Sequence, residues 1–207
     1  MSINAERIHE TSLALLADPG VRIEHDGIYE KLLKAGAKAG TDVQVVRFPR
    51  ELVMECVERA PSEVHFADRR GEGYAIGGDS LSRVWSVPGM NILRHGEHRP
   101  FTSADMADVA RLLDGLENVD AVFGLSLDDV PPGARDVVGL RIIAQNTTKH
   151  VRVLCFTPEG ADALCEMKKV ADGAWFSVGF TAHGPLRWTN LALEIFARTA
   201  GHGIPTT

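Results

Sequence analysis

The chain has 207 residues and a net charge of −6, with 44% hydrophobic and 24% charged residues, ordinary values for a water-soluble globular protein able to build a sizeable core. No basic face stands out, which argues against nucleic acid as a partner; no apolar stretch approaches the ~18 residues that cross a membrane, and the polar, charged start Met1–Glu10 does not read as a signal peptide. Cys56, Cys155 and Cys165 form neither a CxxC pair nor a zinc spacing, so a reducing, cytoplasmic setting is expected.

Residues 4–17 read as an amphipathic helix with Ile8, Ser12, Leu15 and Leu16 on one face and Leu13 at its edge, stopped by Asp18-Pro19-Gly20. Val21-Arg22-Ile23 reads as a short strand. A second helix over 27–35 turns Ile28, Leu32 and Leu33 inward, a strand follows over 43–48, and Pro49 opens a third helix that Pro61 closes. Residues 64–101 change character. Six glycines (Gly71, Gly73, Gly77, Gly78, Gly89, Gly96) separate short alternating runs at Val64-His65-Phe66, Tyr74-Ala75-Ile76 and Val84-Trp85-Ser86-Val87, a β-rich stretch with tight turns.

After Pro100 a strand-then-helix unit recurs about every thirty residues, which argues for parallel strands joined by crossover helices. Thr102-Ser103-Ala104-Asp105 matches a capping box and opens a helix over 103–116. Apolar strands are expected over 120–127, 151–156 and 174–180, read as buried on both faces. Helices are expected from Pro131-Pro132 to about residue 146, from Pro158 with Thr157 as its cap, and over 187–200. Ile204-Pro205 begins a fourth strand.

In βα architectures ligands bind beyond the carboxyl ends of the strands. Those positions are Ser126, Asp128 and Asp129, then Phe156 and Thr157, then Phe180, Thr181 and His183. The candidate substrate-binding residues are Ser126, Asp128, Phe156, Phe180 and His183; no catalytic residue and no metal ligand is assigned. Each also has a structural reading: helix caps for Asp128, Asp129 and Thr157, a loop histidine for His183, and an upper core layer for the two phenylalanines. His95-x-x-His98 would share a face only on a helix, which Gly96 and Pro100 oppose, and no third ligand is in register. No GxGxxG, GKS/T or GxSxG pattern is present.

The chain resembles the trimethylamine methyltransferase family. The resemblance rests on Ile8-His9-Glu10, Leu15-Leu16, Gly20-Val21-Arg22-Ile23, Leu32-Leu33-Lys34-Ala35-Gly36-Ala37 and Phe48-Pro49-Arg50-Glu51-Leu52-Val53. It continues through Ala60-Pro61 followed by Arg69, Arg99-Pro100-Phe101-Thr102 with Asp105, Asp128-Val130-Pro131, Thr147-Thr148-Lys149, Gly184-Pro185-Leu186 and Gly203-Ile204-Pro205. The expected fold class is then α/β: a partial TIM (β/α)8 barrel over 101–207, preceded by an N-terminal α+β region over 1–100. The resemblance implies transfer of a methyl group from a tertiary or quaternary amine, such as trimethylamine or glycine betaine, to a corrinoid carried on a separate protein partner. No cofactor is expected to be bound directly by this chain. A quaternary ammonium calls for an apolar, aromatic wall with carboxylate or cation–π stabilisation, to which Phe156, Phe180 and Asp128 are suited. Two alternatives stay open: a catalytically inactive half-barrel that self-associates as a homo-oligomer, and a small-molecule-binding α/β domain.

Overall fold

In the computed structural model, which describes residues 4–78, 81–170, 173–179 and 182–206, the chain divides into two compact units. One comprises Met1–Pro61 with Thr181–Glu194, the other Ser62–Phe180 with Ile195–Thr207.

The first unit is built on a four-stranded sheet in the order Arg187–Trp188, Val21–Ile23, Val45–Arg47, Lys38–Ala39. Val21 and Ile23 alternate inward and join Ala37, Val46 and Leu193 in a small core, against which Ile28, Leu32 and Leu52 of the helices Asp26–Lys34 and Arg50–Arg59 pack. Gly20 enters the first strand at φ +88, and a Cβ there would lie 2.4 Å from the Val46 carbonyl oxygen, so only glycine fits. The helix Ala5–Ala17 is capped by Asn4, whose side chain accepts from the Arg7 N–H. Its buried residue is Leu13, whereas Ile8 and Leu15 are exposed; the buried stripe is centred on the residue that the sequence pattern puts at its edge. The pattern also takes residues 187–200 as one helix. Instead Arg187–Trp188 pairs in parallel with Val21–Ile23 and the helix begins at Asn190, because the long-range ladder outcompetes local helical propensity.

The second unit carries the regular part. Ala121–Phe123, His150–Leu154 and Phe176–Gly179 form a parallel sheet with the registers Val122↔Val151 and Val151↔Phe176. Two irregular segments extend it at its edges. Trp85 bridges Ala121 in parallel, with further bonds from Ser126 N–H to Gly89 O, and Thr206 bridges Val178 at the far side. The order of these five segments in space follows their order in the sequence. The ladder stops at Phe123 although the apolar run continues to Leu127: after Gly124 donates to Arg152 O, Ser126 bonds Gly89 instead.

Period-two alternation divides the sheet. Val122, Val151, Val153, Phe176 and Val178 pack in one core with Met106, Leu140, Ile143 and Leu164 of the covering helices, each such burial contributing about 1.5–3 kcal/mol. Phe123, His150, Arg152, Ser177 and Gly179 take the other face. The hairpin Asn91–Arg94/Glu97–Pro100 turns through His95 (φ 53) and Gly96 (φ 82), the two positive φ values of a two-residue hairpin loop. That turn is why His95 and His98 share no helix face.

The helices are held by their ends. Thr102 and Asp105 form the capping box, and Arg99 grips the 2% exposed Asp105 carboxylate through two bonds of 2.6 and 2.8 Å. At the other end of that helix, Ser103–Asp114, the Asp114 carboxylate accepts from Thr147 Oγ1 and the Thr148 N–H, and Lys149 Nζ donates to the Leu113 and Leu116 carbonyls. Arg69 donates to the Ala144 and Thr147 carbonyls, closing the helix Arg135–Asn146. Cations suit these C-termini, where the helix dipole is negative.

Arg99 and its hydrogen bonds hold the Asp105 carboxyl well below the usual carboxylate range. The stability this group contributes is present above the unfolded value of about 3.9 and is lost as pH falls through the lower folded value. Asp105→Ala removes the cap and strands Arg99, and is expected to cost about 2–4 kcal/mol in urea unfolding at pH 7; the deficit relative to the parent should shrink at pH 2.

Candidate functional site

The carboxyl ends of the parallel strands form a rim of Gly124, Leu125 and Ser126, then Leu154, Cys155 and Phe156, then Gly179. A buried carboxylate ties this rim together. Asp136, in the first turn of helix Arg135–Asn146 and 1% exposed, accepts from the Phe156 N–H with both oxygens at 3.1 Å. It also accepts from the Thr157 N–H and hydroxyl at 3.4 Å and from the Cys155 thiol at 3.5 Å. Burial raises the Asp136 carboxyl against the lowering effect of these bonds, and burial beside Asp136 pushes the Cys155 thiol up, so that it is a protonated, inert sulfur. Gly160 lets the next helix approach this far: a Cβ there would sit 1.7 Å from Asp136 Oδ2.

Thr157 caps that helix, Pro158–Val170, by accepting from the Gly160 N–H at 2.9 Å. The space between Gly124, Asp136, Gly139 and Phe156 is about 10 Å³, room for a single water at most. A wider open groove of about 450 Å³ lies elsewhere, between Val64, Phe66, Ile76 and Trp85. It borders the hairpin Glu63–Ala67/Gly73–Gly77, whose Phe66 packs edge-on against His150 with ring centroids 5.0 Å apart. His150 begins its strand, so the hairpin covers the amino ends, which in βα folds serve stability rather than chemistry.

Ser126 is half-buried on the rim, and Phe156 is half-buried with its backbone fixed by Asp136. Asp128 is exposed, its N–H donating to Phe101 O at 2.8 Å. Asp129 caps the preceding helix, accepting from the N–H and hydroxyl of Ser103, rather than the helix that follows it. Phe180 and Thr181 lie outside the described residues. His183 is exposed and belongs to the first unit, where it exchanges backbone bonds with Arg187. The structure thus brings Ser126, Asp128 and Phe156 into one unit and places His183 in the other.

Two residues, Asp136 and Arg152, lie outside those that the sequence pattern singles out. Asp136 looks like an ordinary first-turn acid; only the fold shows it reaching the next strand end. Arg152 interrupts the apolar run Val151–Phe156, and a charged residue at an alternating position was a readable signal. Its guanidinium lies 4.3 Å from the centre of the Phe123 ring. Burial lowers its pKa. Among the described residues, no group of three or more His, Cys, Asp or Glu is placed to hold a metal ion, and no helix is long and apolar enough to cross a membrane.

Parallel strands in sequential order, helix-covered on one face and bearing polar groups on the other, define a βα-repeat protein. The sequence model described as trimethylamine methyltransferase (MTTB) matches residues 2–190. The chain belongs to the trimethylamine methyltransferase family. It is 27% identical over 210 residues to trimethylamine methyltransferase MttB of Desulfitobacterium hafniense, covering 96% of this chain and 42% of that protein. It is 26% identical to the glycine betaine methyltransferase of Desulfitobacterium hafniense strain Y51, over 70% of this chain and 30% of that one. The chain therefore spans less than half the length of these relatives. Among solved structures, it superimposes on the crystal structure of the hydroxylamine MtmB complex with a TM-score of 0.56 at 11% identity, covering 86% of this chain and 42% of that one.

His150 is fully buried, with Nδ1 2.9 Å from Ala67 O and Nε2 2.9 Å from Ser177 Oγ. Burial lowers its pKa. The unfolded state then takes up a proton at about pH 6.5 that the folded state refuses, so stability is lost as pH drops below that value. An NMR titration is expected to keep His150 neutral well below pH 6.5; protonation of His150 near pH 6.5 in the folded protein would contradict this.

Proposed function

We propose that this chain forms the first part of a TIM-barrel methyltransferase whose rim orients a tertiary or quaternary methylated amine for transfer of a methyl group to a corrinoid carried by a separate protein. Family membership across residues 2–190 carries this reading. The sequential order of the five parallel segments supports it, because a barrel adds its strands in chain order. Relatives named for trimethylamine and for glycine betaine bracket the substrate class as methylated amines. The setting that best fits three free cysteines and a partner of this kind is cytoplasmic.

We assign no corrinoid ligand to this chain. The one fully buried imidazole of the second unit, His150, is committed through both nitrogens at the amino end of its strand, away from the rim. On the family resemblance the corrinoid is the partner's group, and its cobalt would supply the methyl acceptor. This chain's share is positional. Phe156 and Ser126 form the wall against which the amine would rest, Asp128 supplies an exposed carboxylate beside it, and Asp136 fixes the wall by holding the Phe156 and Thr157 backbone. A cation against an aromatic wall gains about 0.5–2 kcal/mol, more as water is excluded.

The test is a mixture of this chain with a reduced corrinoid protein and either trimethylamine or glycine betaine, followed by the visible spectrum of the cobalt. An amine-dependent spectral change is expected, and Phe156→Ala should slow it by at least about tenfold. A spectrum indifferent to amine, together with a dimer by light scattering, would favour the inactive, self-associating alternative.

A further inference from the structure

The groove of about 450 Å³ at the amino ends of the strands is lined by residues that the proposed methyl transfer does not use. Its size lies in the range of small-molecule sites, which are walled mainly by apolar and aromatic side chains with a few placed polar groups. Val64 and Ile76 face each other in register on the hairpin Glu63–Ala67/Gly73–Gly77 and form one lip, 41% and 37% exposed. Phe66 and Trp85 form the aromatic walls, with ring centroids 5.3 Å apart and planes at 87°. Two rings at a right angle suit a third, which can stack on one and meet the edge of the other. Arg83 and Thr206 are the polar residues at the border. Arg83 is already matched in charge: Nη1 donates to Asp120 Oδ1 at 3.2 Å, and the guanidinium carbon lies 4.9 Å from the centre of the Tyr74 ring. Its Nε–H is buried without a partner, and a buried donor left unpaired in a native fold calls for an acceptor.

We infer that this groove is a second ligand site, one that takes a flat aromatic molecule carrying a neutral hydrogen-bond acceptor such as a carboxamide or a ketone. The ring of the ligand lies against Phe66 and Trp85 beside the Val64–Ile76 pair, and its carbonyl oxygen accepts from the Arg83 guanidinium. Charge sets the remaining preference. Arg83 and Asp120 together are neutral, so a carboxylate ligand is attracted by one, repelled by the other, and must also be desolvated. An ammonium ligand meets Arg83, and among the described residues no carboxylate lines the groove to offset that repulsion. The groove thus disfavours the methylated amines proposed for the rim, and the inference stands independently of that proposal.

Isothermal titration of the whole 207-residue chain with indole-3-acetamide, indole-3-acetate and tryptamine tests this, since the three share a ring system and differ in the charge of the tail. Indole-3-acetamide is expected to bind more tightly than the acetate and at least about tenfold more tightly than tryptamine. Its backbone NMR shifts should centre on Val64, Phe66, Ile76 and Trp85 and leave Gly124, Ser126 and Phe156 of the rim silent. Ile76→Lys, a change at the exposed lip, should weaken the amide at least about tenfold. Arg83→Gln removes the donor and frees the Asp120 carboxylate, so it should weaken the amide and strengthen tryptamine, a reversal that loss of packing alone would not give. Tryptamine binding the parent as tightly as the amide, unchanged amide affinity in folded Ile76→Lys, or shifts centred on the rim would overturn the inference. So would a parent chain that binds none of the three, including one that light scattering shows to be a dimer and Ile76→Lys to be a monomer, because a second copy would then fill the groove.

Discussion

The parallel ladder of Ala121–Phe123, His150–Leu154 and Phe176–Gly179 is the constraint on which the second unit depends. Parallel strands cannot be joined by a tight turn. Each must be entered at one end, left at the other, and returned to through a helix. Helix ends and strand ends are therefore forced together at the two rims, and the polar groups left open there need partners. The chain meets that demand differently at the two ends. At the amino ends, Asp114, Lys149 and Arg69 close helix C-termini, and the Phe66–His150 contact seals the sheet. At the carboxyl ends, Asp136 holds the chain as it leaves the second strand. The first end is packed around Phe66 and His150 and keeps an open groove beside Trp85, while the second keeps its glycines and a half-buried phenylalanine.

This division explains what the family resemblance can and cannot convey. Thr147-Thr148-Lys149, Arg69, and Arg99 with Asp105 are among the residues by which the chain resembles its relatives, and every one of them ties a helix end or a turn. They specify how the sheet is assembled. Phe156, which we propose as part of the wall for the amine, stands outside those motifs. On that proposal the family motifs and the ligand contacts lie in different residues, in keeping with a fold that serves many ligands.

Much of the architecture was legible in the sequence because it depends on local rules. The capping box at Thr102 and Asp105, the Thr157 cap, the strand at Val21–Ile23 and the start of a further parallel segment at Thr206 all follow from residue type and spacing. What escaped was set by distant partners. Arg187–Trp188 is a strand only because Val21–Ile23 lies beside it, and the buried side of the first helix is centred on Leu13 because of what packs there rather than because of its own periodicity. The same holds at the rim. Ser126 and Phe156 could be placed by the rule that strands deliver residues at their carboxyl ends. Asp136 could not, since its role arises from a strand twenty positions downstream. Asp129 shows the converse, a capping residue correctly suspected whose helix lies earlier in the chain.

The most direct measurement is a backbone NMR titration of this chain with a methylated amine, read residue by residue. The account predicts that the shifts concentrate at Gly124, Leu125 and Ser126, at Leu154, Cys155 and Phe156, and at Gly179, with the amino-end residues Phe66, Trp85 and His150 silent. Shifts centred on Phe66 and Trp85 instead would contradict it, because the ligand would then occupy the groove at the amino ends of the strands and not the rim.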